Sequence, residues 1–200
     1  YQECVDITKP TWKHEVLQYN FDGKTFNEHC TNKIKATKDA VKNNKGKNLV
    51  YLDTDVFQVK PIPESIFTHD IITTRMVVRP ERRQYEEVNA GVFFMKANDQ
   101  TERFCEEWAE LDKVYQQDPS IPYHEQRAFN DLCYKYYDND LDIKISNVSE
   151  NQFNLEDDDT KEWMERIEKH KPYLIHLKGK RWQQNFSMEW LKVWIETKLK

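Results

Sequence analysis

Residues 48–57 of this 200-residue chain read NLVYLDTDVF, which is the most informative stretch of the sequence. Its apolar first half is typical of a buried strand, and Asp53 and Asp55 follow where that strand is expected to end. Side chains alternate between faces along a strand, so residues two positions apart project to the same side. Two carboxylates on one side bind a hard cation, and a cation in turn binds phosphate. The stretch therefore predicts a site for a metal and a phosphate.

A second interpretation of the same two aspartates needs no ligand. Many D-x-D sequences only begin a turn or cap a helix. Two adjacent carboxylates in an apolar setting are costly, however, unless a cation or hydrogen-bond donors compensate them. The apolar run before Asp53 therefore favours the metal site over the simple turn.

Composition limits the classes of protein that the chain can belong to. It has 30 Lys and Arg against 35 Asp and Glu, a formal charge of −5, which argues against a nucleic-acid partner. A hydrophobic content of 38% suits one domain over residues 1–200, and a fragment of a longer chain or a domain trimmed at its N-terminus stays open. No apolar run is long enough to span a bilayer, and the first residues do not form a signal peptide. We expect a soluble, cytoplasmic domain, lumenal only if an anchor has been removed.

The cysteine pattern gives little support to zinc or dithiol chemistry. Cys4, Cys30, Cys105 and Cys133 are far apart and form no C-x-x-C pair. Free structural thiols are the favoured interpretation, and the even number leaves disulfides open.

Strand-like and helix-like segments alternate along the whole chain. Apolar β-type runs predict strands at residues 14–21, 48–57, 70–75, 88–96, 141–148 and 173–177. Three-to-four spacing of apolar residues predicts helices at residues 25–43, after a cap at Asp99, at 125–137, at 159–169 and from Ser187 onward. This alternation is typical of an α/β protein with helices on both faces of a mixed, mostly parallel sheet. Ligands in such proteins bind at the carboxyl ends of strands, which again selects Asp53 and Asp55.

Two chemistries use an apolar strand followed by D-x-D. In haloacid-dehalogenase-type phosphatases the first Asp is the nucleophile and the second is a general acid, beside Mg²⁺. Those enzymes usually have Thr or Val two residues after the second Asp and carry the motif near the domain start, whereas this chain has Phe57 and some fifty preceding residues. In nucleotide-sugar transferases the aspartates hold Mn²⁺ or Mg²⁺ against the diphosphate of the donor.

Later segments favour the second chemistry. Residues 88–94 read VNAGVFF, residues 125–130 read EQRAFN and residues 175–180 read IHLKGK. Together with the D-x-D segment, and in this order, they resemble a GT-A-fold glycosyltransferase of the retaining nucleotide-diphospho-sugar transferase group. The resemblance extends from about Lys33 to Trp182 and implies a single-domain, Rossmann-like GT-A fold.

The resemblance implies a metal centre. Relatives bind the ion through the D-x-D aspartates and a late histidine, so Asp53, Asp55 and His176 are the expected ligands. Mixed oxygen and nitrogen ligation suits Mn²⁺ somewhat better than Mg²⁺. Without the family, His176 would be interpreted as a hydrogen-bonded core histidine.

The resemblance also implies residues that bind the donor. Thr54 lies between the two aspartates, and Lys178 and Lys180 would lie near the diphosphate, with Gly179 allowing close approach of the backbone. The small residues Ala90 and Gly91 would lie beside the donor sugar. They are joined by a basic residue on the helix before the D-x-D segment, Lys33 or Lys35, for which a solvated surface lysine is the competing interpretation.

Three residues are candidates for contact with the reacting sugar. Asn89 precedes the two small residues, and a strand start with an asparagine turn is the simpler alternative. Glu125 and Gln126 match a position where relatives usually have Asp-Gln, so Glu125 departs from the pattern by one methylene. The implied activity is metal-dependent transfer, with retention, from a nucleotide sugar (a UDP-sugar) to a hydroxyl of a glycan or glycoprotein. A phosphatase and a non-catalytic nucleotide- or carbohydrate-binding module are the alternatives.

Overall fold

A computed structural model describes residues 9, 12–19, 25–75, 88–121, 123–137, 142–156, 160–177, 193 and 197. Lys178, Gly179 and Lys180 lie outside the described residues, as does most of the helix predicted from Ser187. Backbone contacts divide the chain into two compact units. The first unit lies within residues 1–16, 52–63 and 148–200, and the second within residues 17–51 and 64–147. The expectation of one domain over residues 1–200 stays a prediction.

The described secondary structure alternates between helices and strands. The helices are α1 (Phe26–Asn43), α2 (Asp99–Tyr115), α3 (His124–Tyr137), α4 (Glu150–Phe153) and α5 (Thr160–His170). The strands are β1 (Asn48–Leu52), β2 (Val56–Gln58), β3 (Ile71–Arg75), β4 (Val88–Lys96), β5 (Ile145–Val148), β6 (Leu155–Glu156) and β7 (Leu174–His176). A 3₁₀ turn at Glu64–Ile66 precedes β3.

The second unit is built around β4. Its sheet has the strand order β1-β4-β3-β5, and β3 and β4 pair antiparallel, with an irregularity between Thr73 and Arg75. All of β4 except its last residue is buried, which explains its nearly continuous apolar sequence. Phe93 from β4 contacts the rings of Trp108 on α2 and Phe129 on α3. Helices therefore cover the central strand and form the core with it.

Helix α1 begins where the sequence predicts. Thr25 caps it, because the Glu28 amide donates to the Thr25 hydroxyl and the Thr25 amide donates to the Glu28 carboxylate. Gly46, in the turn after α1, has φ 84°, a left-handed conformation that glycine adopts without strain. This turn leads directly into β1.

The first unit contains the smaller sheet, with the strand order β2-β7-β6. Strands β2 and β7 pair antiparallel, and β6 and β7 pair parallel. All residues of β2 and β7 are buried. This sheet therefore places the start of β2 opposite the end of β7.

The mixed α/β class is confirmed, although the strands form two sheets rather than one. The strand predicted at residues 48–57 is two strands, β1 and β2, separated by a turn. The strand predicted at residues 14–21 is wrong for its described part, since residues 12–19 form no strand. There the Trp12 indole donates to the Val56 carbonyl, and the Lys13 amide donates to the Gln58 side chain, so side chains replace a backbone ladder.

The predicted cap of α2 is wrong by one residue. Asn98, not Asp99, is the N-cap: its side chain accepts from the Thr101 amide at 2.9 Å, and the Thr101 hydroxyl accepts from the Asn98 amide at 3.0 Å. Asp99 instead begins the first turn, where a negative charge is favoured by the helix dipole. In the described part of the chain, no helix combines the length and apolar character that crossing a membrane requires. The cellular compartment stays a prediction.

Candidate functional site

The D-x-D segment forms a hydrogen-bonded turn. The Val56 amide donates to the Asp53 carbonyl at 3.1 Å, which closes a four-residue turn between β1 and β2. The two carboxylates therefore converge through a turn and not through alternation along one strand. The turn interpretation and the metal interpretation of these aspartates are thus compatible. Thr54 lies within the turn and is partly buried.

The pairing of β2 with β7 brings His176 to this turn. His176 is the register partner of Val56, the residue after Asp55. The Leu177 amide donates to the Asp55 carbonyl at 3.0 Å, so the backbones stay joined beyond the last ladder pair. The His176 Nε2 atom lies 3.2 Å from Asp55 Oδ1. Two distant parts of the sequence therefore meet within the first unit.

We call Asp53, Asp55 and His176 the acidic–histidine cluster. One ligand atom from each residue lies within 4.8 Å of the other two. His176 is buried, whereas the side chain of Asp55 is 26% exposed, which leaves solvent access on the carboxylate side. Within the described part of the chain, no other three His, Cys, Asp or Glu side chains meet this spacing.

The electrostatics of this cluster favour a cation. Two carboxylates contribute only acceptors, and a neutral imidazole nitrogen without a proton is an acceptor too. At 3.2 Å, the contact between His176 Nε2 and Asp55 is favourable only if a proton or a cation lies between them. Two oxygens and one nitrogen form a donor set that divalent ions such as Mn²⁺ and Zn²⁺ accept. The residues present therefore fit a divalent metal.

A second group of predicted residues meets at the start of β4, within the second unit. We call Lys33, Asn89, Ala90, Glu125 and Gln126 the β4 cluster. The Gln126 carboxamide accepts from the Ala90 amide at 2.9 Å and donates to the carbonyl of Val88. In a parallel sheet, one residue of a neighbouring strand bonds to the carbonyl before and the amide after its partner residue. The Gln126 side chain makes the same two bonds on either side of Asn89 and so takes the place of a neighbouring strand.

Lys33 and Glu125 bring opposite charges into the β4 cluster. Their side chains are 13% and 6% exposed, and Lys33 Nζ lies 4.0 Å from Glu125 Oε1 and 3.4 Å from the Ala90 carbonyl. The ammonium also lies 5.5 Å from the centre of the Tyr51 ring. The interpretation of Lys33 as a solvated helix lysine is therefore wrong. Glu125 Oε2 is buried and has no hydrogen-bond partner among the described residues.

Asn89, Ala90 and Gly91 are part of strand β4. Asn89 is buried, and its side-chain oxygen accepts from the Gly91 amide at 2.6 Å, which forms a local turn-like bond within the strand. Ala90 is fully buried. Roles for Asn89, Glu125 and Gln126 in the reaction stay predictions.

Sequence reasoning missed three residues that support these clusters. Asn154 Oδ1 lies 3.0 Å from His176 Nδ1, and Asn130 Oδ1 accepts from the Val88 amide at 2.7 Å. Asp112, almost fully buried on α2, forms a short hydrogen-bonded contact with His124 at the start of α3. Asn130 ends the EQRAFN segment, but the resemblance implied no role for it. Asn154 and Asp112 lie outside every quoted motif.

The described cysteines are structural. Cys30, Cys105 and Cys133 are buried thiols that form no disulfide, which confirms the thiol interpretation for these three. Burial raises the pKa of Cys105 to about 12 and also raises the pKa of Cys133. Thiols that stay protonated are poor nucleophiles, so neither is a candidate for covalent catalysis.

The fold is similar to the folds of two solved glycosyltransferases. Over 84% of its length the chain is similar to a glycosyltransferase involved in the glycosylation of the major capsid of PBCV-1, with a TM-score of 0.55, 15% identity and 80% of that chain covered. It is also similar to the apo form of the glycosyltransferase GlyE of Streptococcus pneumoniae TIGR4, with a TM-score of 0.50, 13% identity and coverage of 83% of this chain and 43% of that one. At these identities the likeness establishes the fold alone.

The family is established independently of these structures. Residues 1–185 match the nucleotide-diphospho-sugar transferase family, and the chain therefore belongs to it. A search of curated protein sequences found no match. The family and the shared fold support a glycosyltransferase that uses a nucleotide-sugar donor.

Proposed function

We propose that the chain is a metal-dependent glycosyltransferase that moves a sugar from a UDP-sugar to a hydroxyl of a glycan or glycoprotein. The observation that carries the metal dependence is the acidic–histidine cluster, in which three ligand atoms lie within 4.8 Å of one another. Membership of the nucleotide-diphospho-sugar transferase family supports a role for this cluster at the diphosphate of the donor.

In this proposal Asp53, Asp55 and His176 hold Mn²⁺ or Mg²⁺. When bound, the ion supplies Lewis-acid stabilisation of the negative charge that develops on the departing diphosphate. The two carboxylates would lower the net charge of the bound ion, and the buried imidazole would supply the third ligand atom. We assign Lys178 and Lys180 to the diphosphate and Gly179 to close backbone approach, on the resemblance alone.

The β4 cluster is assigned to the donor sugar. Glu125 has a buried carboxylate oxygen without a partner in the described chain, and a sugar hydroxyl is a donor that would satisfy it. Ala90 and Gly91 have no bulk that would block a sugar beside the strand. Lys33 brings a positive charge to 4.0 Å from Glu125 Oε1. Gln126 holds the backbone around Asn89 in place.

Retention of anomeric configuration rests on the resemblance. In that mechanism the acceptor hydroxyl attacks from the face that the diphosphate leaves, and the leaving phosphate assists its deprotonation. It requires no covalent intermediate on a carboxylate, and we assign none to Glu125.

The first experiment is a thermal-shift screen of the purified protein with nucleoside diphosphates, each with and without Mn²⁺. We expect UDP to raise the unfolding midpoint only when Mn²⁺ is present, because the ion bridges protein and diphosphate. Asp55→Ala should abolish this shift, as well as turnover of UDP-sugar, and keep the fold as judged by circular dichroism. Unchanged turnover in Asp55→Ala would overturn the proposal.

The same experiment decides between the alternatives. A phosphatase would release phosphate from a phosphomonoester without any nucleotide, and the family match disfavours it. A non-catalytic binding module would give the UDP and Mn²⁺ shift but no hydrolysis or transfer of any UDP-sugar.

A further inference from the structure

Asn154 lies at the junction of two elements of the first unit. It follows the short helix α4, whose end it caps by donating its backbone amide to the Glu150 carbonyl at 2.8 Å, and it precedes β6. The residue is fully buried, and its side-chain Nδ2 has no hydrogen-bond partner in the described part of the chain. The Asn154 side chain is thus buried with only part of its hydrogen-bonding capacity used.

The contact that Asn154 does make is with the histidine of the acidic–histidine cluster. Its Oδ1 atom lies 3.0 Å from His176 Nδ1, and both atoms are buried. A carboxamide oxygen only accepts, so the Nδ1 atom donates and carries a proton. In neutral His176 the other nitrogen, Nε2, then has a lone pair and no proton, and this nitrogen lies 3.2 Å from Asp55 Oδ1.

The identity of the protonated nitrogen decides whether His176 binds a metal. If Nε2 carried the proton of a neutral ring, it would donate to Asp55, and the cluster would be satisfied without an ion. With the only proton of the neutral ring on Nδ1, three acceptors face one another, and a bound cation stabilises them. Hydrogen bonds to the second nitrogen of a metal-binding histidine fix its tautomer and ring orientation in this way.

We propose that Asn154 is a positioning residue that holds the proton of His176 on Nδ1 and directs Nε2 toward Asp53 and Asp55. The inference rests on the proposed function, since it assumes that the acidic–histidine cluster holds a divalent ion. The pairing of β6 with β7 keeps the two residues together, because Leu155, next to Asn154, is the register partner of Ile175, next to His176.

The test measures the dissociation constant for Mn²⁺, from the spin-resonance signal of the free ion, in two variants of Asn154. Asn154→Leu is close in size but cannot accept a hydrogen bond, and it should weaken Mn²⁺ binding by about 10- to 100-fold. Asn154→Asp keeps the acceptor and should bind Mn²⁺ within about threefold of the parent protein. Rescue by the aspartate would also show that the side chain acts as an acceptor, since a carboxylate has no proton to donate.

A double-mutant cycle separates positioning from general loss of structure. In a His176→Ala background, Asn154→Leu should have less than about a twofold effect on Mn²⁺ binding, because the imidazole that Asn154 positions is absent. An equal loss with and without His176 would overturn the proposal, as would Mn²⁺ binding by Asn154→Leu at the level of the parent.

A measurement on the metal-free parent protein does not depend on any variant folding. The ¹⁵N shifts of the His176 ring, assigned by their loss in His176→Ala, should show a proton on Nδ1 and none on Nε2 in the neutral ring. The opposite tautomer would overturn the inference. Failure of the parent to bind any divalent ion would overturn the inference and the proposed metal dependence together, whereas Mn²⁺ binding without sugar transfer would overturn the proposed function alone.

Discussion

The acidic–histidine cluster and the β4 cluster differ in the balance of donors and acceptors. In the first, two carboxylates and an imidazole supply three possible ligand atoms within 4.8 Å. In the second, the Gln126 carboxamide uses both its oxygen and its nitrogen on the backbone of β4, and the Lys33 ammonium lies beside Glu125. An excess of acceptors calls for a cation, whereas the matched bonds between the Gln126 carboxamide and the strand backbone make a rigid scaffold. The same protein thus uses buried polar groups in two ways.

The largest effect that this contrast predicts is at Asp55. Asp55→Asn keeps the shape of the side chain and removes one negative charge, so we expect Mn²⁺ to bind at least about 100-fold more weakly, measured by titration calorimetry. Without metal, the unfolding midpoint should stay equal or rise, because repulsion between neighbouring acceptors is relieved.

The matched control for this charge change is Asp99→Asn. The Asp99 side chain is 96% exposed and pairs with Lys45, outside both clusters. It should leave the Mn²⁺ affinity unchanged. A fall in metal-free stability in Asp55→Asn would contradict the view that its cluster has an excess of acceptors.

An intermediate effect is expected at Gln126. Gln126→Leu removes the bonds to the Val88 carbonyl and the Ala90 amide, and we expect it to lower the free energy of unfolding by about 2–3 kcal/mol in urea titrations. Affinity for Mn²⁺ should not change, because none of these partners is an expected ligand. Gln117→Leu, at an exposed glutamine, should change stability by less than about 0.5 kcal/mol. Equal effects of the two substitutions would refute the scaffold role.

The smallest effect concerns Glu107, whose carboxylate accepts hydrogen bonds from Lys135 and Tyr136. Burial raises the pKa of Glu107, but hydrogen bonds from Lys135 and Tyr136 outweigh it, so the pKa lies below its ordinary value of 4.5. A depressed pKa contributes stability that is present above pH 4.5 and is lost as the pH falls through the lower, folded-state value. The loss should be about 0.2–1 kcal/mol, because the pair lies near the surface.

Thermal midpoints between pH 7 and pH 3 test this prediction. Glu107→Gln should flatten the acid side of the profile, and neutralising the exposed Glu110 in the same way should not. A profile for Glu107→Gln that parallels the parent would show that the donors of Glu107 add nothing to stability.

The sequence predicted those parts of the fold that follow local rules. The helix at residues 25–43 has a capping box and an apolar face, and it forms as expected. The apolar run at residues 88–96 forms a buried strand for the same reason. The break within residues 48–57 was missed, because β-type residues continue on both sides of the turn at Asp53 and hide it.

Within the candidate sites, the sequence predicted only residues that lie in recognisable motifs. Asp53, Asp55 and His176 were selected together, and the structure brings them together. A solvated surface lysine was the competing interpretation of Lys33, because no local pattern reveals that a helix lysine lies against another strand. Asn154 was missed for a similar reason: its importance comes from the pairing of β6 with β7, and a lone asparagine after a short helix is normally only a cap.

The antiparallel pairing of β2 with β7 has a consequence for the order of assembly. Asp53 and Asp55 lie in the first third of the chain, and His176 lies near its far end, so the acidic–histidine cluster joins residues that are far apart in the sequence. Contacts between residues that are so far apart in the sequence form late in folding and late in synthesis. A chain that ends before β7 would carry the two carboxylates without the imidazole. Tight Mn²⁺ binding would therefore report that the last strand has docked.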